Sequence, residues 1–187
     1  MTRAVIVGGR EELPCESFTS VSRLDLFDLT TTKWLTDYDV HGELTHRVGH
    51  SVVTLDERAY VFGGEPIADL AGTAGHGTSQ QHFGDVYEIS FETDVLYCTN
   101  VSPIGGDGTD PNAPPPPAPS ERAWHASAAV RYREASSDPE SPPTQGVLVL
   151  GGTNSEGAIM SDVWLFTVNV AGQKPRWVQL SVRQDCQ

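Results

Sequence analysis

Positive charge is scarce in this chain: its 187 residues hold 12 Lys and Arg against 25 Asp and Glu, a formal charge of −13. Phosphate affinity arises from a basic surface, so nucleic acid and anionic membranes are excluded as partners. Cysteine is as sparse. Cys15, Cys98 and Cys186 are distant and odd in number, which builds no disulfide framework and suits a reducing compartment. No apolar stretch approaches the ~20 residues of a membrane span, and Ala4–Val7 is too short for the core of a secretory signal. A cytoplasmic protein is expected. Proline is rare outside one region, since ten of the 13 fall between Pro103 and Pro143. Hydrophobic residues, at 38%, still suffice for a globular core.

What the chain does contain is repetition. A short apolar run ends in a glycine pair three times: Ala4–Val7 before Gly8-Gly9, Ala59–Phe62 before Gly63-Gly64, and Val147–Leu150 before Gly151-Gly152. After each pair comes a polar loop and a second apolar run, Leu24–Asp28, Asp85–Ile89 and Asp162–Phe166. An aromatic residue then opens a short further strand at Trp34, at Tyr97 or its neighbour Leu96, and at Trp177. Two units also begin with Arg-x-x-His, at Arg47–His50 and Arg122–His125, leading into small and β-branched residues. The unit is therefore four strands, a to d, and the chain holds three, four and four of them. The run Val147–Leu150 reads as a strand buried on both faces.

This pattern resembles the kelch repeat: an Arg-x-x-His strand, an apolar strand, Gly-Gly, an Asp-apolar-aromatic strand, then Trp. The resemblance covers nearly all of residues 3–181. It implies an all-β protein of four-stranded antiparallel blades belonging to a β-propeller. The first blade spans about 3–37 and lacks its first strand; the second spans about 47–101 and the third about 122–181, with a Pro-rich inter-blade loop at 102–121. Its structural motif residues are Gly8, Gly9, Trp34, Arg47, His50, Gly63, Gly64, Asp85, Tyr97, Arg122, His125, Gly151, Gly152, Asp162 and Trp177. Propellers usually have about 4–8 blades. Three are a half or a fragment of one, so further blades are expected from a longer chain, a second copy or another subunit.

Several residues that could signal chemistry have plainer readings. His41, His46 and His50 cluster in sequence, as do His76 and His82, but their spacing does not converge on a metal. Arg47 and Arg122 are either anion ligands or strand-start residues paired with carbonyls or an acidic neighbour. Asp85 and Asp162 recur at equivalent places, which favours a turn or a partner for those arginines over catalysis. Residues 111–119 read as polyproline II, an SH3- or WW-type ligand or a tolerated insertion. No catalytic residue, metal or cofactor is expected.

The long insertions lie mainly in the b–c loops (10–21, 65–83, 153–160) and the d–a loops (38–46, 102–120), which share one end of the sheets. The loop at 133–145, at the other end, is the exception. Loops on a rigid scaffold carry function, and the resemblance implies protein docking at that end. The expected function is a non-catalytic protein-interaction scaffold. An architectural subunit of a large assembly, or part of a kelch-type enzyme, are the alternatives.

Overall fold

A computed structural model describes residues 3–8, 10–12, 18–20, 24–66, 81–103, 116–133, 143–168 and 174–181, with only the backbone described at 10–12 and 18–20. The described residues are all-β. None forms a helix, so none forms one long and apolar enough to cross a membrane.

Sheet 1 is β1 (Arg3–Val7), β4 (Leu24–Asp28) and β5 (Lys33–Leu35), in that spatial order. Between its first two strands stands a separate hairpin, β2 (Arg10–Glu12) with β3 (Phe18–Ser20). Sheet 2 runs β6 (Asp39–His41), β10 (Val95–Asn100), β9 (Val86–Glu92), β8 (Arg58–Phe62), β7 (Ser51–Leu55). Sheet 3 runs β11 (Ala126–Tyr132), β12 (Thr144–Leu150), β13 (Val163–Thr167), β14 (Arg176–Leu180). Every pairing is antiparallel except β6 with β10.

Tight turns explain the hairpins. Thr93 and Asp94 both take positive φ between β9 and β10, as a two-residue hairpin turn requires. After β4, the Asp28 carboxylate accepts the amides of Thr30 (2.7 Å) and Thr31 (3.2 Å), turning the chain into β5 and lowering the Asp28 pKa from its usual value.

Two apolar layers hold the sheets together. Leu24 and Leu26 of sheet 1 pack on Ala59, Val61, Ile89, Leu96 and Cys98 of sheet 2. From the opposite face of sheet 2, Val53, Leu55, Tyr60, Phe62 and Val86 pack on Val147, Val149, Trp164, Phe166 and Trp177 of sheet 3. Sheet 2 is thus covered on both sides, and Ala59–Phe62 is buried at every position.

Three stretches differ from the sequence reading in strand assignment or burial. Segment 39–41, read within a loop, is strand β6, and the hairpin β2–β3 occupies another stretch read as loop. Gly42 explains the first: at φ +95 its missing side chain makes room for the Cys98 carbonyl, which a Cβ would approach to 2.0 Å. The run Val147–Leu150 is not buried on both faces; Val149 is 0% exposed but Leu150 44%, because no described sheet covers the far side of sheet 3.

The same position in the repeat can therefore be core or surface. Trp34 pairs with Phe27 as Trp177 pairs with Phe166, and both indoles meet their partner ring near 5 Å (5.1 and 5.0 Å). Yet Trp34 is 56% exposed and Trp177 4%, because sheet 2 covers only the latter. Trp177→Ala is expected to cost about 3–5 kcal/mol and Trp34→Ala about 1 kcal/mol or less. Urea unfolding of the two variants checks this, and equal losses would refute the assignment of faces.

Candidate functional site

The repeated arginines lie just before β7 and β11, and each is closed in by its own sheet. Arg47, with a side chain fully shielded from solvent, gives Asp85 two hydrogen bonds (Nη1 2.6 Å, Nη2 3.1 Å). It also donates to the carbonyls of Gly63 (3.0 Å) and Thr45 (3.1 Å) and lies 4.3 Å from the Phe83 ring centre. Arg122 repeats this with Asp162 (2.6 and 2.9 Å), Gly151 (3.1 Å) and Ser120 (3.0 Å). The Arg122 hydrogen bond is the main reason the Asp162 carboxyl sits below its usual range, and Trp164 Nε1 adds a further donor at 2.6 Å. A carboxylate held by a two-pronged guanidinium is a strong, directional pair. With those donors engaged inside the fold, the two arginines form structural clamps and not an anion site.

Three residues beyond each arginine, a histidine reaches the preceding sheet. His50 Nε2–H donates to the Val7 carbonyl at 3.2 Å, and its ring edge lies against Gly8. His125 Nε2 meets Ser51 Oγ at 2.7 Å, and its ring lies 5.0 Å from that of Phe62. Burial pushes both pKa values down, His125 to about 4, with the Arg122 charge adding to the shift there. Each histidine also leaves a buried Nδ1 without a partner among the described residues.

At the loop end of sheets 2 and 3 the structure assembles a cluster that the sequence reading did not single out. Trp124 lies between Arg122 and His125 at φ +60, and the equivalent residue of the second unit is Gly49, at φ +65. A left-handed backbone suits glycine and is a clear outlier for so bulky a residue. The indole is 64% exposed, lies over Gly49 and donates from Nε1 to Glu65 Oε1 at 3.3 Å. Glu65 Oε2 in turn meets His82 Nε2 at 3.1 Å, and His82 Nδ1 meets the Thr153 carbonyl at 3.0 Å. The signal available in the sequence was Trp replacing Gly at one place in the Arg-x-x-His start.

The other motif residues fall as follows. Gly9 lies outside the described residues. Gly63, Gly64, Gly151 and Gly152 all take positive φ. The position in register with Trp34 and Trp177 is Cys98, which pairs with Ile89; Tyr97 is one place off and points to the other face, 37% exposed. His41 meets the Tyr97 ring edge to face at 5.5 Å, and His76 lies outside the described residues. Among the described residues no three His, Cys, Asp or Glu side chains gather as metal ligands. Residues 111–115 of the proline run are likewise outside; Pro119 is buried and lines a shallow cleft with Pro66, His82 and Phe83. A second cleft of about 900 Å³, at the opposite end of the sheets, is lined by Arg58, Tyr60, Glu88 and Gln145.

No family model matches the chain, and no curated protein does. Among solved structures the chain is similar to one described as "Structure of YjhT", with 14% identity and a TM-score of 0.32. The likeness covers 84% of this chain and 51% of that one, so the chain spans about half its length.

The buried histidines make stability depend on pH. From 6.5, the ordinary histidine value, down to about 4, the unfolded chain takes up a proton that folded His125 refuses. Stability therefore falls as pH drops through that window, by about 3 kcal/mol for His125, with His50 acting in the same direction. Asp162 and Asp28, held below the usual 3.8, lose their contributions only at lower pH. His125→Asn is expected to flatten the decline of the urea midpoint between pH 6.5 and 4. An unchanged slope would count against a neutral, buried imidazole.

Proposed function

We propose that the three sheets are blades of a kelch-type β-propeller and that the chain serves as a non-catalytic protein-interaction scaffold. Partners bind at the end bearing the b–c and d–a loops. Two features support the blade arrangement. Strands β7 and β11, which follow the two Arg-x-x-His segments, run close together. Sheets 2 and 3 also reach their predecessors alike, with the His50 ring against Gly8 and the His125 ring against Gly63. Arginine, aspartate and histidine, the side chains most able to do chemistry in the repeat, serve the fold at both repeats.

Trp124 carries the functional part of the reading. A left-handed backbone at a bulky residue costs about 1–2 kcal/mol, and glycine at the same place in the second unit avoids that cost. The tryptophan it maintains is exposed at the loop end, with its N–H fixed by Glu65, so a broad aromatic face is offered in one orientation. Tryptophan is enriched among the residues that dominate protein interfaces. The Glu65–His82–Thr153 chain of contacts ties that platform to both sheets beneath it.

Trp124→Gly tests the proposal, since glycine fits the backbone and leaves the clamp and histidine untouched. The variant is expected to keep or raise the urea midpoint, by about 1 kcal/mol in stability at most. Proteins captured from extract by the native chain should fall at least tenfold with the variant. Equal capture by both would overturn the assignment of the binding end.

A further inference from the structure

Charge is divided unevenly between the two ends of sheets 2 and 3. The three connections of the loop end, residues 65–83, 102–121 and 153–160, hold six Asp and Glu and neither Lys nor Arg. The arginines standing at this end, Arg47 and Arg122, are 1% and 0% exposed and are matched inside the fold by Asp85 and Asp162. At the opposite end both signs reach solvent, with Arg58, Arg133 and Arg176 exposed as well as Asp56 and Glu57. A surface of one sign raises the local concentration of the opposite charge and speeds its arrival.

Trp124 stands in this acidic setting with one of its two faces taken. A Cβ placed on Gly49 would lie 2.9 Å from Trp124 Cε2 and 3.0 Å from Cδ2. Those atoms form the bond shared by the two rings, so the indole rests on Gly49 by its face, and the other face accounts for its 64% exposure. The face of an aromatic ring is its negative side, and tryptophan attracts a cation best. Glu65 lies at the indole edge: its Oε1 accepts the Trp124 N–H at 3.3 Å and its Oε2 meets His82 Nε2 at 3.1 Å. A carboxylate has about four lone-pair sites. Two are used here, and the Glu65 side chain keeps 24% of its surface in water for a further donor.

We infer that Trp124 and Glu65 receive a cationic side chain, arginine in preference to lysine, carried by a basic segment of a protein partner. The guanidinium stacks on the free indole face and its N–H groups reach the open Glu65 sites. Arginine is favoured because its planar, weakly hydrated head both stacks and forks toward a carboxylate, whereas an ammonium is a compact, strongly hydrated point charge. An acidic segment would meet like charge from the surrounding loops, and an apolar one would leave the open carboxylate sites unanswered. The inference rests on the loop-end reading of function and adds to it the chemistry of the partner.

The probe is a dye-labelled Gly-Ser peptide carrying four arginines, titrated with the full chain and followed by anisotropy. A counterpart with citrulline at each arginine keeps the planar shape and removes the charge. The arginine peptide is expected to bind at about 20 mM salt and to lose about threefold or more in affinity at about 200 mM. The citrulline peptide should bind at least about tenfold more weakly, and Trp124→Gly and Glu65→Gln should each cost the arginine peptide about fivefold or more. Glu57→Gln removes the same charge at the opposite end, and Trp34→Ala removes another exposed indole; both should leave affinity within about twofold. Absence of binding, equal binding of the citrulline peptide, or indifference to Trp124→Gly would each overturn the proposal. So would a loss with Glu57→Gln as large as with Glu65→Gln, since net charge alone would then draw the peptide. If Trp124→Gly abolishes capture from extract while the arginine peptide goes unbound, the cationic partner is refuted and the loop-end reading stands.

Discussion

A guanidinium sealed from water must be satisfied on every side, and in this protein that requirement sets the geometry of sheets 2 and 3. Arg47 and Arg122 each join three points of one sheet: the segment entering strand a, the carbonyl of the glycine pair after strand b, and the aspartate opening strand c. Removing one partner of such a buried pair costs about 3–5 kcal/mol, mostly because the other charge is left enclosed. The carboxylates keep roughly a quarter of their surface in water (24% and 22%), which moderates the desolvation without loosening the two-pronged geometry. With the arginine fixed, the histidine three residues later is aimed out of its own sheet and into the one before. The clamp within a sheet and the contact between sheets are consecutive results of one short segment.

How much of this can be read from sequence depends on whether a role is performed by chemistry or by position. Arginine, aspartate, histidine and paired glycines are irreplaceable in what they do, so they recur at matched places and stand out in the chain. Cys98 does not stand out. It occupies the place of Trp34 and Trp177 only because the ladder register puts it there, and the smaller thiol suffices against Leu24 and Leu26 of sheet 1. An aromatic one residue away, Tyr97, is the more visible letter and the wrong face.

Strand β6 is hidden for a different reason. Asp39, Val40 and His41 are all exposed and show no alternation, so backbone pairing alone makes them a strand. Trp124 was visible as a letter, but a left-handed backbone at that letter is a property of the turn and leaves no periodic trace. The exposed outer side of sheet 3 likewise has the same apolar run as a covered strand; what differs is the neighbour, which no residue within the run encodes.

Strand β6 also has a consequence for how the protein avoids sticking to copies of itself. Unpaired strand edges are templates for unwanted pairing, and each of the three sheets has such an edge. Sheet 2 shields its outer rim with a strand taken from the connection to sheet 1, whereas β5 and β14 place Lys33 and Arg176 along theirs. Sheet 2 therefore ends in a three-residue exposed strand carrying Asp39 and His41, and its neighbours end in short strands carrying Lys33 and Arg176, so each of these edges is short and polar.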